Sequence, residues 1–258
     1  MKRKTKFCLA AVAAVAVILA AALLAVALSL GGIVKKGIEM YGPSATGVDV
    51  HLKGAEVWLV DGRAQLDGLV VGNPQGCKTP TAIVADKVSA RIQTASAFSG
   101  KVVIESLDFK APVVTLEGGL KDNNLTRIEK NLDDYCAGPS NAPNSPAPSS
   151  GPAKTKRTYQ VNNLVITGAK VQVNTKVTLG NTVTLPIPDI HLTNLGTAPE
   201  GITAAEVAKK ALHAVEEAST ATIARDANDL AKKAADAAKT AAQKAADKLK
   251  GLIRMALN

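Results

Sequence analysis

The sequence predicts an α+β protein: an N-terminal transmembrane helix, a curved, mainly antiparallel β-sheet with a short helix, and a long C-terminal amphipathic α-helix. Three observations predict it, namely one uncharged apolar run near the start, two stretches of alternating apolar and polar residues, and a C-terminal region rich in Ala and Lys. Alternation with a period of two is typical of strands, whereas apolar residues three and four apart indicate a helix. Because neither strand-rich stretch is large, we expect one sheet built from both, shaped as a groove or a half-sandwich.

The apolar run extends over 28 uncharged residues, from Phe7 to Val34. A helix of this length measures about 42 Å, against about 30 Å for the hydrocarbon core of a bilayer. Basic residues dominate 1–6, so the positive-inside rule places this tail in the cytoplasm and the rest of the chain outside. We therefore expect 7–34 to be a single-pass anchor in a bacterial inner membrane, with the main domain in the periplasm. The alternative is a signal peptide cleaved after Ala27, although the run is about twice the usual length of such a segment.

The first strand-rich half is expected over 35–136. Apolar residues alternate with polar ones at Val48, Val50 and Leu52, and the phase of the alternation changes past Gly54, which suggests a β-bulge. The same alternation recurs at Val88, Ala90 and Ile92, and at Leu107 and Phe109. The pair Asp61-Gly62 and the cluster Gly72-Asn73-Pro74 mark turns.

Helical periodicity appears twice. Leu125, Ile128 and Leu132 predict a short amphipathic helix at about 124–135. The region 201–258 is rich in Ala and Lys, and its apolar positions follow an 11-residue repeat that keeps one stripe of a long helix apolar. This stripe could lie on a membrane, cover the sheet or pair with a partner.

Between these helical regions the chain carries a linker and the second strand-rich half. Residues 137–157 are rich in Pro and Ser and are expected to be flexible. Strands are expected again over 158–200, where Val171 and Val173 alternate with polar residues. Pro186 and Pro188 remove two backbone donors, so the strand that carries them should lie at an edge or end there.

The residues show no conventional active site. The three histidines, His51, His191 and His213, have no second ligand at metal spacing, and no phosphate or dinucleotide fingerprint is present. We therefore expect no enzymatic activity, no metal and no cofactor. The formal net charge of +9 is spread out and is not interleaved with aromatic residues, so nucleic-acid binding is not expected. Cys77 and Cys136 could form a disulfide in an oxidising compartment.

Several segments together resemble the AsmA-like family of inner-membrane-anchored envelope proteins. Besides the anchor, they are LDGLVVGNPQGCKTP (66–80), KVVIESLDFKAPVVTLEGG (101–119), VNNLVITGAKVQV and LPIPDIHLTNLG within 159–201, and the helix opening ITAAEVAKKAL. The resemblance implies a curved β-groove whose apolar inner face handles phospholipid or assists outer-membrane biogenesis. By this resemblance the lipid-facing candidates are Val48, Val50, Leu52, Val88, Ala90, Ile92, Leu107, Phe109, Val171 and Val173. A closed core built from the same residues is the alternative.

Large members of that family repeat the groove many times, whereas this chain holds about one unit, which by itself cannot bridge an envelope. The expected partners are therefore the lipid bilayer of the inner membrane, a phospholipid, and an envelope protein or a second copy of the chain. The rival hypothesis is a structural adaptor that binds a protein partner through its C-terminal helix.

Overall fold

The computed structural model describes residues 30–138, 157–175 and 182–227, together with positions 232, 235, 236, 239, 240, 243 and 244. This part of the chain is α+β, as the sequence predicts. Its helices are α1 (30–46), α2 (Asn124–Ala137) and α3 (Ala204–Arg225). Its strands are β1 (Val50–Trp58), β2 (Arg63–Gly72), β3 (Thr81–Ile92), β4 (Lys101–Lys110), β5 (Val113–Gly118), β6 (Thr158–Thr167), β7 (Lys170–Thr175), β8 (Val183–Pro186) and β9 (Ile190–Leu195).

The nine strands form one curved sheet that is mainly antiparallel, as predicted, but mixed, because it also contains two parallel pairs. From β3 the sheet continues along two arms, β4-β6-β9 and β5-β7-β8, while β2 and then β1 extend it on the other side. The pairs β4 with β6 and β5 with β7 are parallel, and the remaining pairs are antiparallel. Parallel pairing arises because α2 and the following linker separate β5 from β6, which allows the chain to return in the same direction.

Each strand of one arm continues into a strand of the other arm, so the two arms together form three long strands that bend where the arms meet. Val88 on β3 pairs with Phe109 on β4. Ile83 lies five residues before Val88 and pairs with Val114 on β5, which lies five residues after Phe109. The register is likewise unbroken from β4/β6 into β5/β7 and from β6/β9 into β7/β8. The sheet therefore consists of six long strands that all bend along one line, which we call the corner.

At the corner the alternation of apolar and polar residues along each strand shifts by one position. On β3 the buried residues Ala85 and Val88 are three apart, with two exposed residues between them. The same step occurs where β4 leads into β5, where β6 leads into β7 and where β8 leads into β9. Gly68, Ala111 and Gly168 occupy the corner with φ values of 61°, 47° and 62°. This left-handed conformation turns the backbone so that one face remains apolar on both sides of the bend.

The change of phase at Gly54 is thus real, but the predicted bulge is not there. Leu52 pairs with Leu69 and Gly54 pairs with Asp67, so the register of β1 and β2 continues unchanged through the glycine. The irregular backbone lies instead on the neighbouring strand, at Gly68. The phase change belongs to the corner, which is shared by every strand.

Helices α2 and α3 cover the side of the sheet that we call the inner face. Leu125, Ile128 and Leu132 of α2 are buried, which confirms the predicted short helix. Asn123 caps α2 and Thr203 caps α3, each through a capping box with the residue three positions on. The main contacts of α2 are with β5 and α3, and those of α3 extend to β6 and β9. The predicted C-terminal helix is thus described from its start to Arg225, and most of its remainder lies outside the described residues.

Four glycines and Pro43 within 30–46 lower the helical propensity of α1, so the sequence analysis missed this helix beyond residue 34, the expected end of the anchor. Two of these glycines allow close contact with β1. A Cβ on Gly31 would lie 2.0 Å from the carbonyl oxygen of Ala55, and one on Gly42 would lie 2.9 Å from the Cβ of Val50. The Leu52 backbone N–H donates to Glu39 Oε1 at 3.1 Å. Helix α1 therefore shields the free edge of the sheet.

Other predictions can be placed on this fold. The turn at Asp61-Gly62 joins β1 to β2, and the segment beginning at Gly72 joins β2 to β3. Strand β8, which ends at Pro186, lies at an edge of the described sheet, as its prolines predict. No helix within the described residues is long and apolar enough to cross a membrane. Residues 7–29 of the predicted anchor and 139–156 of the predicted linker lie outside the described part of the chain.

The corner predicts opposite effects for two exposed positions. We expect Gly168→Ala to lower the free energy of unfolding by about 1 kcal/mol, because an L-residue is strained in the left-handed region, and Ala111→Gly to raise it by up to about 1 kcal/mol. A Cβ on Gly168 meets only ordinary contacts with Ala111, so packing should contribute little. Gly100→Ala, where a Cβ meets nothing, is the control. Equal effects of all three substitutions on urea denaturation would contradict this explanation of the corner.

Candidate functional site

All ten lipid-facing candidates lie on the inner face, but they divide into two groups. Six of them are buried in the core: Val48, Val50, Leu52, Val88, Val171 and Val173. The other four are only half-buried: Ala90, Ile92, Leu107 and Phe109. The degree of exposure of each candidate follows from what packs against it.

The half of the inner face formed by β5, β7 and β8 is closed. Val171 and Val173 on β7 have no exposed surface, and Leu116 on β5 has none either. They belong to one hydrophobic cluster with buried residues of α2 and α3, among them Leu132 and Leu212. In this half the structure therefore corresponds to the closed-core alternative, and these valines are not accessible to a ligand.

The half formed by β1, β2, the end of β3 and β4 is only partly covered, although Ile104, Leu107 and Phe109 on β4 also pack against the closed core. Two rows of paired residues cross this half, Ala55-Leu66-Val88-Phe109 and Val57-Ala64-Ala90-Leu107. Apart from the buried Val88, these residues are half-buried, as are Ile92 and Ile104 beyond them. We call the half-buried set the apolar strip, and it comprises Ala55, Val57, Ala64, Leu66, Ala90, Ile92, Ile104, Leu107 and Phe109. Its side chains have no polar atoms, so it can accept only apolar groups.

A polar cluster at the opposite end of the sheet escaped the sequence analysis. The Glu117 carboxylate accepts from the backbone N–H groups of Lys78 and Thr79, at 2.5 and 3.0 Å, and from the Thr79 hydroxyl at 2.7 Å. The Asn124 amide donates to Asn73 Oδ1 at 2.6 Å. These bonds hold the β2–β3 loop against β5 and the start of α2. Such partners are distant in sequence, so no local pattern reveals them.

This environment changes the acidity of Glu117. Burial by itself would raise its pKa, but the hydrogen bonds from Lys78 and Thr79 outweigh burial and hold the pKa below its ordinary value. The carboxylate therefore stays ionised and serves as a structural acceptor. This arrangement fits a loop clamp better than a proton-transfer group.

Cys77 and Cys136 are both free in the structure. Cys77 lies in the β2–β3 loop, which contacts α2 through Arg127 Nη2 and the Gln75 carbonyl at 3.1 Å, whereas Cys136 lies near the end of α2. Nine residues of helix separate Arg127 from Cys136, or about 14 Å, while a disulfide requires Cα atoms within about 7 Å. Burial is the main cause that raises the pKa of both thiols. The negative charge of Glu117 further raises the pKa of Cys77, and that of Glu206 further raises the pKa of Cys136.

The three histidines lie apart from one another. His213 Nδ1 is 2.9 Å from Glu129 Oε1, a contact that joins α3 to α2. His51 and His191 are exposed on β1 and β9. Within the described residues no group of three or more His, Cys, Asp or Glu side chains could hold a metal ion.

No protein-family model matches the chain, and searches of the curated proteins and of the solved structures return no match either.

The clamp at Glu117 gives a prediction with a defined pH dependence. We expect Glu117→Gln to lower the free energy of unfolding by about 1–2 kcal/mol near neutral pH, because a charged acceptor of three hydrogen bonds is replaced by a neutral one. The folded-state pKa is lowered, so this contribution is complete above the ordinary Glu pKa and is lost as the pH falls through the folded value. Denaturation as a function of pH should therefore show the variant and the wild type converging in acid. Glu105→Gln, on an exposed side chain of β4, is the control.

The placement of the cysteines predicts two free thiols. Alkylation of the unfolded chain without reductant, followed by peptide mass spectrometry, should label Cys77 and Cys136 completely. If both residues were labelled only after reduction, Cys77 in the β2–β3 loop and Cys136 near the end of α2 would form a disulfide, which would contradict the prediction.

Proposed function

We propose that this chain is a membrane-anchored envelope protein of the AsmA-like type, without enzymatic activity, which contributes to lipid handling or outer-membrane biogenesis through the apolar strip. The observation that supports this proposal best is the contrast between the two halves of the inner face. The half formed by β5, β7 and β8 is a closed core, whereas the half that contains the apolar strip carries half-buried apolar side chains.

The direction of α1 relates the strip to the anchor. Gly31 lies against Ala55 and Gly42 lies against Val50, so α1 runs antiparallel to β1. Residue 30, the first described residue of α1, therefore lies towards the Trp58 end of β1, where the strip also lies. In the sequence the segment before residue 30 is the uncharged run that we interpret as a bilayer span in the inner membrane, with the described domain in the periplasm.

The chemistry of the strip favours an acyl chain as its ligand. Each methylene removed from water against an apolar surface contributes about 0.8 kcal/mol, and no polar group of the strip would lose a hydrogen bond. The strip occupies only part of one sheet. We therefore propose that it holds part of a phospholipid locally, and that reaching further requires an envelope protein partner or a second copy of the chain.

A second candidate function is a protein adaptor. An open groove lies between α2, α3 and β9, lined by Glu129, Leu192, Leu195, Lys210, His213 and Glu217. Its mixture of apolar and oppositely charged side chains is common in protein interfaces. This groove involves the start of the predicted C-terminal helix, so it favours the adaptor hypothesis over the lipid hypothesis.

Neighbouring residues on β3 allow a matched test. We expect Ala90→Asp to reduce several-fold the phospholipid that copurifies with the full-length chain, because a carboxylate within the strip would be desolvated by an acyl chain. Ser89→Asp, at the adjacent position and on the opposite face, should leave it unchanged. Bound lipid is measured by extraction and mass spectrometry, with thermal unfolding to confirm that both variants fold.

Equal amounts of bound lipid in both variants would contradict a role for the strip. The adaptor hypothesis would be favoured if Ala90→Asp retained function in the cell while Lys210→Glu, in the groove, abolished it.

A further inference from the structure

One end of the sheet exposes large apolar side chains. Trp58 and Val60 lie at the β1–β2 turn and are 42% and 95% exposed, and Phe98, between β3 and β4, is 81% exposed. Turns favour Gly, Asn, Asp and Pro, so a fully exposed valine next to Asp61-Gly62 is not explained by turn chemistry. Isolated exposed apolar residues are common, but three at one end form a surface that calls for an explanation.

These segments are neighbours in space. The Ile92 backbone N–H donates to the Gly62 carbonyl at 2.6 Å, which joins the β1–β2 turn to the end of β3. The Thr158 N–H donates to the Gly100 carbonyl at 3.0 Å, and Lys101 Nζ reaches the Ala198 carbonyl at 2.7 Å. We call this end of the sheet, comprising residues 58–63, 91–101, 157–158 and 196–201, the tip.

The tip is also the end at which the chain arrives. Because α1 runs antiparallel to β1, its first described turn lies beside Ala55 and points towards Trp58. The uncharged run that precedes residue 30 in the sequence therefore joins the domain on the side of the tip. A bilayer that contained this run would lie next to Trp58, Val60 and Phe98.

The charge of the tip fits an anionic surface. Its basic residues are Arg63, Arg91, Lys101 and Arg157, and its acidic residues are Asp61 and Glu200. Asp61 is paired with Arg63, whose guanidinium also lies 5.9 Å from the centre of the Trp58 ring. The ammonium of Lys101 is held by the carbonyl oxygens of Thr197 and Ala198 rather than by a carboxylate. Basic side chains next to a bilayer are attracted by anionic lipids, and tryptophan prefers the interface.

From these observations we propose that the tip rests on the surface of the bilayer that holds the N-terminal run, with Trp58, Val60 and Phe98 inserted among the lipid headgroups. The proposal rests on the membrane anchor of the proposed function and adds a second, surface contact. That contact orients the domain, so that the apolar strip opens directly above the lipid.

The chain offers a direct reporter, because Trp58 is its single tryptophan. The full-length chain is reconstituted into vesicles of phosphatidylcholine and phosphatidylglycerol, with or without bromine atoms on the acyl chains, and insertion of the chain is checked by flotation. We expect brominated lipid to reduce Trp58 emission strongly, and replacement of phosphatidylglycerol by phosphatidylcholine to weaken the reduction.

Two further variants separate the tip from the rest of the domain. In a Trp58→Phe background, Phe98→Trp should be quenched as Trp58 is. Leu120→Trp, in the same background, should not be quenched, because Leu120 is exposed in the β5–α2 connection at the opposite end of the sheet. Thermal unfolding confirms that each variant is folded.

Each outcome has a distinct meaning. Flotation with vesicles but no quenching at Trp58 or at Phe98→Trp would overturn the tip contact and leave the anchor intact. Failure to float would overturn both the anchor and the tip contact. If Trp58 emission changed with protein concentration and not with bromination, the tip would be a contact between copies of the chain. That result would also overturn the proposal.

Discussion

The corner is the constraint on which the rest of this structure depends. Six strands bend along one line while their pairing continues in register, and this requires every strand to change its side-chain phase at the same level. Without that change, residues that face the core on one side of the bend would face water on the other. The left-handed backbone at Gly68, Ala111 and Gly168 provides the turn at three of the six strands. The bend gives the sheet an inner face deep enough to hold two helices.

The bend also explains why the inner face is not uniform. Helices α2 and α3 lie against β5, β6 and β9, where they complete a closed core. On the strands towards β1 the apolar residues near the Trp58 end of β1, such as Val57, Ala64 and Ala90, are only half-buried. Helix α1 lies along β1, where the absence of side chains at Gly31 and Gly42 permits backbone contact. One curved sheet thus combines a stable core with an apolar surface on the side where the chain enters.

This arrangement relates the two functional proposals to each other. A lipid-handling surface has to be apolar and accessible, and it has to lie close to the bilayer that supplies the lipid. The apolar strip meets the first two requirements through incomplete coverage, and the direction of α1 together with the exposed tip would meet the third. The groove along α3 is lined by other residues, but Leu192 in the groove lies on the same face of the sheet as Leu107 of the strip, two strands away. An adaptor role would therefore use a neighbouring part of the same face.

The amino-acid sequence by itself determined the periodic elements. Alternation located most strands, Leu125, Ile128 and Leu132 located α2, and the prolines of β8 placed it at an edge, because these signals depend on residues close in the chain. Only the tertiary structure decided that Val171 is core while Ala90 is partly open, that Gly54 is no bulge, and that a glycine-rich segment forms α1. These properties depend on contacts between residues far apart in sequence, such as Gly31 with Ala55, which no local pattern specifies.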